Sequence, residues 1–391
     1  MLAEIKKIFG VTILSTLFSA LFLLFSSYFI SKENLGLYQA FISFVILFSS
    51  FSTLRLELAL PIISKKERKL LLNWLLFFVF IASLVVFILF QEPILIFGGV
   101  LYSLYLIYEM LLTSVGDISR LARIKLINAL SFLIIVICFT LVFGDSYLTL
   151  CLSYMSALLL SFFFVRPSSD FFRHFSLRID QHLLSKIKPF LFYSFPQNFA
   201  NNFGAQLPVV YFTYLGNFSF LGIYYISNKV LDVSLGVISK SINQVFYHFN
   251  NKAYSNGCVE KAKKNFDYVV VPLVLGSVFI YILTYILKGI FDSHGNLIPE
   301  GISEVVTVCF IILPWKLSKM VTSSVATTFI VIGKQHVALL ITVAFLPIRI
   351  GGLIFGENVS EKLLYFSLLS LLYYTVYLFV CRMLMVRSNY V

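Results

Sequence analysis

The chain reads, from Lys188 to Gln244, KPFLFYSFPQNFANNFGAQLPVVYFTYLGNFSFLGIYYISNKVLDVSLGVISKSINQ. This stretch holds two apolar segments of membrane-spanning length, and each segment carries polar side chains in mid-span. The polar residues are Gln197, Asn198, Asn201, Asn202 and Gln206 in the first segment and Asn228, Lys229, Asp232, Lys240 and Asn243 in the second. Lipid solvates such groups poorly, and a charge at the bilayer centre costs about 2.5–3.5 kcal/mol. We therefore expect these side chains to face protein or water and to mark a binding site or a pathway.

The composition of the whole chain is that of a membrane protein. Of the 391 residues, 59% are hydrophobic and 12% are charged, whereas a soluble globular protein typically has about 25% charged residues. Apolar stretches of about 20 residues are long enough to cross a bilayer as helices. We expect twelve such spans, at 8–30, 36–60, 70–90, 93–115, 123–143, 147–165, 190–214, 218–246, 268–290, 303–332, 336–356 and 362–385. The sequence therefore predicts an all-α polytopic membrane protein with about 12 transmembrane helices.

The positions of the basic residues predict the orientation of the chain. If both termini are cytoplasmic, 21 of the 30 lysines and arginines fall in cytoplasmic segments or at the cytoplasmic ends of spans, and three fall at the opposite side. Cytoplasmic loops of membrane proteins carry such an excess, and they lie against anionic membrane lipids. This placement accounts for the net charge of +12 without a nucleic-acid partner. The longest cytoplasmic loop, 166–189, separates a six-span half at 1–165 from another at 190–391.

Leaving aside the charged residues assigned to the ends of the spans and their flanking loops, we assign nine lysine, arginine, aspartate and glutamate residues to the interior of the predicted spans. They are Arg55, Glu57, Glu109, Lys229, Asp232, Lys240, Lys316, Lys319 and Arg349. Six are basic and three are acidic, so the interior carries an excess of positive charge that ion pairing alone does not explain. Such an interior favours an anionic ligand such as a phosphate or a pyrophosphate.

Helical spacing groups the polar residues of three spans into stripes. The stripes are Asn198, Asn202 and Gln206 on span seven, with Asn201 on the adjacent row, then Asn228, Asp232 and Lys240 on span eight, and Lys316 and Lys319 on span ten. Residues three or four positions apart share one face of a helix. We expect the three stripes to line one cavity in the second half of the chain. The two lysines of span ten repel each other unless an anion lies between them.

Structural roles are the alternative for most of these residues. Lys229 and Asp232 are three positions apart and can form a buried ion pair without a role in binding. The amide face of span seven can hydrogen-bond neighbouring helices. Arg55 and Glu57 lie near the edge of the membrane, where they can snorkel or cap a helix, and Arg349 can reach the interface.

Patterns typical of catalytic and metal sites do not occur in the sequence. The five cysteines show no Cys-x-x-Cys spacing, and the histidines form no His-Glu-x-x-His motif. We expect a transporter and not an enzyme, with neither a metal nor a cofactor. Asp232, Glu57 and Glu109 are candidates for coupling to protons or sodium ions, although Glu109, among tyrosines, is also typical of a satisfied carboxylate.

Three stretches of the chain resemble one known family. The run LRLELALP at 54–61 resembles the LRxELAI–P signature of polysaccharide-transport proteins, and residues 189–247 are similar to the span seven to eight region of the same family. The run LPWKLSKMVTSSVATTFIVIGKQ at 313–335 resembles their span ten. These proteins are the Wzx-like O-antigen and capsule flippases of the multidrug/oligosaccharidyl-lipid/polysaccharide (MOP) exporter superfamily. Two departures from the family pattern are Ser234, near a common proline, and Lys229, near a position that is often arginine.

The resemblance implies two six-helix lobes around a central cavity and alternating access between inward-open and outward-open states. The implied cargo is an undecaprenyl-pyrophosphate-linked oligosaccharide, the repeat unit of O-antigen or capsule. The protein would move this lipid from the cytoplasmic to the periplasmic leaflet of the bacterial inner membrane, as a step of lipopolysaccharide or other polysaccharide biosynthesis. Association with the polysaccharide polymerase machinery is an expected partnership.

The substrate-binding candidates are Lys229, Lys240, Lys316, Lys319 and Arg55 among the cations and Asn198, Asn201, Asn202, Gln206 and Asn228 among the amides. Lysines suit the pyrophosphate, and amides suit sugar because each offers both a donor and an acceptor. A cation-coupled multidrug exporter of the same superfamily is an alternative, although it would favour an acidic, aromatic interior. A membrane glycosyltransferase or polymerase is another, and it would need a sizeable loop that carries carboxylates.

Overall fold

The computed structural model describes residues 2–61, 63–165, 181–255, 258–293 and 300–387, which contain helices and no strand. The helices are α1 (Leu2–Phe29), α2 (Lys32–Ser52), α3 (Lys65–Phe90), α4 (Pro93–Val115), α5 (Ile118–Phe143), α6 (Tyr147–Phe164), α7 (Gln181–Pro189), α8 (Phe195–Tyr214), α9 (Phe218–Ser255), α10 (Val259–Ser293), α11 (Glu300–Val325), α12 (Thr328–Val331), α13 (Gln335–Phe355) and α14 (Val359–Arg387). A 3-10 helix, Leu56–Ala59, follows α2, and a π-helix, Phe190–Ser194, joins α7 to α8. The predicted all-α class is confirmed.

Long apolar helices make this chain a multi-pass membrane protein. Within the described ranges, nine helices are long and apolar enough to cross a membrane, namely α2 to α6, α10, α11, α13 and α14. The nine do not include α8 and α9, which cover predicted spans seven and eight, because the polar side chains dilute their apolar stretches. Each of the twelve predicted spans nevertheless contains a helix.

Two predicted spans end differently from what hydropathy alone indicates. Span two stops at Ser52, because Leu54 and Arg55 adopt left-handed backbone conformations with φ of 49° and 57° before the 3-10 helix begins. Span ten, predicted at 303–332, divides into α11 and α12 after Val325. Residues other than glycine seldom adopt left-handed conformations, so the turn after α2 depends on the contacts that surround it.

The described helices belong to two compact units, Met1–Gly222 and Ile223–Val391. The first unit contains α1 to α8 and the start of α9, and the second contains the rest of α9 and the helices that follow. Part of the predicted linker, 166–180, lies outside the described residues, whereas the remainder forms α7. The predicted lobes, 1–165 and 190–391, assign α8 differently from these units, and that lobe assignment stays a prediction.

Helix α2 is the central helix of the first unit, where it packs against α3, α4, α6 and α8. Two glycines permit close packing here. A Cβ at Gly36 would collide with the backbone carbonyl of Phe218, and a Cβ at Gly99 of α4 would lie 2.5 Å from the Phe48 ring. Small residues at such crossings are typical of helices that associate in membranes.

Glu67 of α3 anchors the short helix α7. Its carboxylate oxygens accept hydrogen bonds from Lys186 Nζ at 2.9 and 3.1 Å, and Oε1 lies 2.9 Å from His182 Nδ1. Helix α7 buries Leu183 and Ile187 on its other face. The end of the predicted cytoplasmic linker is therefore an amphipathic helix that is fixed to the start of α3.

The core of the second unit includes a buried arginine between α13 and α14. Arg349 is 2% exposed, and its Nε donates to Ser370 Oγ at 2.9 Å. Its guanidinium lies 5.0 and 5.5 Å from the ring centres of Phe366 and Tyr373, a distance at which cation–π attraction contributes. The interpretation that Arg349 reaches the membrane interface is therefore wrong, because its planar cation is enclosed by aromatic rings instead.

Candidate functional site

The candidate site is built around a proline in α11. Pro314 lies inside this helix, and its ring interrupts the regular hydrogen bonding of the backbone. The next amide, the N–H of Trp315, donates to Ser367 Oγ of α14 at 3.3 Å, as expected when a neighbouring helix compensates for a proline in a membrane. Lys316 follows directly, and its side chain is 3% exposed.

An ion pair between α9 and α11 holds Lys316 in place. Its Nζ lies 2.7 Å from Asp232 Oδ1 and 4.5 Å from the centre of the Trp315 ring. The other carboxylate oxygen, Oδ2, accepts a hydrogen bond from Asn228 Nδ2 at 3.1 Å. The Asp232 side chain is 43% exposed. A buried ammonium is therefore neutralised by a carboxylate that is itself accessible, which matters because an unpaired buried charge is costly.

Two further lysines act on the same carboxylate. Lys229 lies one turn before Asp232 on α9, Lys319 lies one turn after Lys316 on α11, and both interact with Asp232 electrostatically. The Nζ of Lys229 also lies 5.9 Å from the centre of the Tyr225 ring. We call Lys229, Asp232, Lys316 and Lys319 the lysine cluster. The four residues of the cluster carry three positive charges and one negative charge, and Lys316 is the lysine that contacts Asp232 directly, at 2.7 Å.

Hydrogen bonds on both sides of the lysine cluster fix α9 against α11. Ser227 Oγ donates to the carbonyl of Val305 at 3.1 Å, and Asn243 Nδ2 donates to the carbonyl of Ser323 at 2.8 Å. The second bond satisfies a carbonyl in the last turn of α11, where helices leave such groups unpaired. The structure therefore brings the stripes of spans eight and ten together. Lys240 belongs to α9, but its side chain lies outside the described residues.

The amide face of α8 lies in the first unit and contacts α2. Gln206 Oε1 accepts a hydrogen bond from Ser43 Oγ at 2.8 Å, and Asn202 Nδ2 donates to Ser50 Oγ at 2.8 Å. This is the interhelical hydrogen bonding that the amide stripe offered as a structural alternative. A role of these amides in binding sugar stays a prediction.

Arg55 extends the row of contacts between α2 and α8. From its left-handed position, Arg55 donates from Nη2 to Asn198 Oδ1 at 2.7 Å, and its Nη1 lies 3.2 Å from Glu57 Oε1. Arg55 thus contacts α8 instead of snorkelling to the membrane edge. Four buried atoms in this region have no hydrogen-bond partner among the described residues, namely Arg55 Nε, Glu57 Oε2, Asn198 Nδ2 and Asn201 Oδ1. Such atoms are uncommon in folded proteins and indicate a place where water or a ligand completes the bonding.

The last coupling candidate, Glu109, forms an ion pair outside these two regions. Its Oε1 lies 2.6 Å from Lys125 Nζ of α5, so the carboxylate is satisfied by a neighbouring helix. Across the residues that the structure describes, no three histidine, cysteine, aspartate or glutamate side chains are grouped closely enough to hold a metal ion.

The polar face of α2 is not among the residues predicted from the sequence. Gln39 Nε2 donates to Ser43 Oγ at 3.3 Å, and Ser50 meets α8 two turns further along. These residues are separated by four and seven positions, so a period of 3.6 residues places them on one face. The signal was present, but serine is common in apolar helices, where its hydroxyl bonds to the preceding turn.

Comparisons with known proteins show what the whole chain resembles. No protein-family model matches it, and no curated protein sequence matches it either. A multidrug resistance MATE family transporter of the MOP superfamily, in an inward-facing conformation, has a similar structure, with a TM-score of 0.62 and 13% identity over 99% of this chain and 95% of that chain. The lipid II flippase MurJ, in an inward closed conformation, gives a TM-score of 0.65 and 12% identity over 100% of this chain and 91% of that chain.

A third similar structure is a MOP superfamily transporter from Pyrococcus furiosus Vc1, which is described by the reverse polarity of its binding pocket. Its TM-score is 0.54 and its identity 12%, over 99% of this chain and 95% of that chain. At such identities the likeness shows the fold alone. The chain therefore has the fold of MOP superfamily transporters, and its narrower resemblance to the Wzx-like flippases stays a prediction.

Proposed function

We propose that this chain is a flippase for an undecaprenyl-pyrophosphate-linked oligosaccharide, the repeat unit of O-antigen or capsule. It moves this lipid from the cytoplasmic to the periplasmic leaflet of the bacterial inner membrane by alternating access. Its fold supports the proposal, because the lipid II flippase MurJ and MATE transporters in inward-facing and outward-facing conformations are similar to it. The cytoplasmic position of both termini belongs to this proposal, as does cooperation with a polysaccharide polymerase.

The observation that carries the proposal is the excess charge of the lysine cluster. Lys316 is buried, and Lys229 and Lys319 act on the same carboxylate that neutralises it. A pyrophosphate brings two or more negative charges and several acceptor oxygens, which match ammonium donors in number and sign. An ionisable side chain inside a membrane-spanning helix is by default a candidate for a functional site. The three lysines are therefore assigned to the pyrophosphate of the cargo.

Asp232 gives the lysine cluster a means of releasing its ligand. The carboxylate and an incoming pyrophosphate compete for the same ammonium of Lys316, because Asp232 already occupies it at 2.7 Å. A proton or a sodium ion on Asp232 would weaken the ion pair and free Lys316 for the cargo. Asp232 is accordingly the first candidate for coupling, ahead of Glu57 and Glu109, whose cationic partners lie outside the lysine cluster.

A cation-coupled multidrug exporter is the second candidate function, and the similarity to MATE transporters favours it. The lysine cluster weighs against this function, because three ammonium groups repel the cationic compounds that an acidic interior would attract. A membrane glycosyltransferase or polymerase gains no support from the fold, since the similar structures are of transporters.

A bacterial strain that lacks this chain separates the three functions. The flippase predicts loss of surface polysaccharide and accumulation of the lipid-linked oligosaccharide in the cytoplasmic leaflet. Complementation with the wild-type chain restores the polysaccharide, whereas Lys316→Gln with Lys319→Gln does not, at equal protein level. The matched control removes two exposed lysines of α10, Lys261→Gln with Lys264→Gln, and it restores the polysaccharide.

Other outcomes of the same experiment would overturn the proposal. Heightened drug susceptibility with normal polysaccharide would identify a multidrug exporter. Single repeat units that reach the surface without being polymerised would identify a polymerase. Normal polysaccharide in the double lysine variant would show that the lysine cluster is not part of the cargo site.

A further inference from the structure

A second group of polar side chains lies within the first unit, where the turn after α2 meets α8. We call Arg55, Glu57, Asn198 and Asn201 the turn cluster. Arg55 Nη2 donates to Asn198 Oδ1 at 2.7 Å, and Arg55 Nη1 lies 3.2 Å from Glu57 Oε1. Asn201 follows Asn198 by three positions and so shares its face of α8. The lysine cluster is a different group, because its four residues belong to the second unit.

Each residue of the turn cluster has one buried atom without a hydrogen-bond partner among the described residues. Arg55 Nε and Asn198 Nδ2 are donors, whereas Glu57 Oε2 and Asn201 Oδ1 are acceptors. Glu57 is 1% exposed, so its unsatisfied oxygen carries the full desolvation cost of a buried polar group. Buried polar atoms that stay unpaired are uncommon. Four of them on neighbouring side chains indicate that a ligand completes the bonding.

Charge and donor count decide which ligand fits the turn cluster. Arg55 and Glu57 balance each other, so the cluster favours a neutral ligand. A phosphate would be repelled by Glu57, and a cation would be repelled by Arg55. A hydroxyl group both donates and accepts, and two adjacent hydroxyls offer the two donors and two acceptors that the four atoms lack. Sugars and water both supply this chemistry.

Aromatic rings beside the turn cluster favour sugar over water. The ring centre of Phe51, in the last turn of α2, lies 6.4 Å from that of Phe195 and 6.5 Å from that of Phe199 of α8. Phe51 is 46% exposed, and Phe195 precedes Asn198 by three positions on the same face of α8. A sugar ring carries apolar C–H groups as well as hydroxyls. It therefore suits a site that combines aromatic surface with a few polar groups, as ligand sites typically do.

The backbone that carries Arg55 is strained. Leu54 and Arg55 adopt consecutive left-handed conformations with φ of 49° and 57°, which residues other than glycine seldom adopt. Such strain is concentrated at ligand clamps and switch regions. The Arg55 side chain is 29% exposed, against 2% for that of Glu57. Movement of the Arg55 side chain therefore gives a ligand its way to the buried atoms beneath.

We infer that the turn cluster binds two neighbouring hydroxyl groups of a sugar in the oligosaccharide of the cargo, an inference that rests on the proposed function. Arg55 Nε and Asn198 Nδ2 donate to the hydroxyl oxygens. The hydroxyls in turn donate to Glu57 Oε2 and Asn201 Oδ1. Arg55 thereby serves the sugar and not the pyrophosphate, because Glu57 already neutralises its charge.

Two separate probes test the inference on the purified full chain. One is an oligosaccharide without phosphate, released by mild acid from the strain's own surface polysaccharide, whose binding is measured by saturation-transfer NMR. The other is inorganic pyrophosphate, measured by isothermal titration calorimetry. The wild type binds both. Asn201→Ala weakens binding of the oligosaccharide by roughly 3- to 10-fold, the effect of one neutral hydrogen bond. It leaves the pyrophosphate affinity and the unfolding midpoint unchanged, because Asn201 Oδ1 has no partner among the described residues.

Asn128→Ala on α5 is the matched control. Asn128 Oδ1 is likewise buried without a partner in the described part of the chain, and α5 packs against α1, α4 and α6. This variant keeps the wild-type affinity for both probes, and a loss of oligosaccharide binding equal to that of Asn201→Ala would overturn the inference.

The two probes separate failure of the inference from failure of the proposed function. A wild type that binds pyrophosphate but not the oligosaccharide would overturn the inference and leave the proposed function standing. Binding of the oligosaccharide without binding of pyrophosphate would contradict the proposed function instead. If Asn201→Ala binds the oligosaccharide as tightly as the wild type does, water fills the turn cluster and the assignment to sugar is wrong.

Discussion

The Nζ atom of Lys316 lies 2.7 Å from Oδ1 of Asp232, and this ion pair joins a lysine that is 3% exposed to a carboxylate that is 43% exposed. The two partners therefore differ in their exposure to solvent. Lys316 depends on Asp232 for its charge balance, whereas Asp232 retains access to solvent or ligand. Removal of one partner should have a different consequence from removal of the other.

Substitution of Asp232→Asn should destabilise the second unit by leaving Lys316 buried without its countercharge. Breaking a buried ion pair typically costs 3–5 kcal/mol, and because this carboxylate is partly exposed we expect about 1–3 kcal/mol. The measurement is the midpoint of thermal unfolding in detergent, followed by size-exclusion chromatography. The double variant Asp232→Asn with Lys316→Met should recover most of the loss, since it removes both charges. A single variant as stable as the wild type would show that Lys316 does not need this carboxylate.

Lys319 should contribute to anion binding without contributing to stability. It forms no ion pair with the described residues, yet it acts electrostatically on Asp232. Lys319→Gln should therefore keep the wild-type unfolding midpoint and weaken binding of pyrophosphate by roughly 3- to 30-fold, the range of a charge-assisted contact in partial solvent. Isothermal titration calorimetry with the purified chain measures this, at two salt concentrations.

The control for this substitution is Lys261→Gln on α10, which removes an equal charge from an exposed position and should leave the pyrophosphate affinity unchanged. If the two variants lose affinity equally, the effect comes from the net charge of the chain and not from the lysine cluster.

The sequence predicted the helices well because membrane hydropathy is a property of single segments. It predicted the stripes on α9 and α11 for the same reason, since helical spacing depends on one helix at a time. Asp232 and Lys316 are 84 positions apart in the sequence, and their pairing depends on how α9 packs against α11. Helical spacing offered Lys229 as the nearer partner for Asp232, and spacing cannot supply a partner on another helix.

The amide stripe of α8 shows the same limit. The spacing of the stripe was evident from the sequence, but the helix that it contacts was not. Its partners Ser43 and Ser50 of α2 are weakly polar and gave no comparable signal. The left-handed turn at Leu54 and Arg55 was also hidden, since the leucines of LRLELALP at 54–61 extend the apolar stretch of span two beyond Arg55. The break of span ten after Val325 was hidden in the same way.

Asn202 of α8 and Ser50 of α2 should be energetically coupled. A double-mutant cycle with Asn202→Ala and Ser50→Ala should give a coupling of about 0.6 kcal/mol, and at most about 1.7 kcal/mol, the range of interhelical hydrogen bonds in membranes. Unfolding midpoints of the four proteins in detergent give the cycle. Asn201→Ala is the control, because its Oδ1 has no hydrogen-bond partner among the described residues. Zero coupling together with lost transport in Asn202→Ala would assign this amide to the cargo and not to the packing of α2.

Gly36 should tolerate no side chain, because α2 approaches the start of α9 through it. A Cβ at this position would collide with the carbonyl of Phe218, which is backbone and cannot rotate away. Gly36→Ala should therefore lower the unfolding midpoint by several degrees, as overpacking typically costs about 1–3 kcal/mol. Gly236→Ala, in the middle of α9, is the matched control, because among the described residues no atom beyond the adjacent turns of its own helix lies within 4 Å of its added Cβ. That substitution should raise stability by up to about 1 kcal/mol through helix propensity. Shifts of opposite sign would identify the crossing at Gly36 as a backbone contact, whereas two stabilising substitutions would show that the helices can separate there without cost.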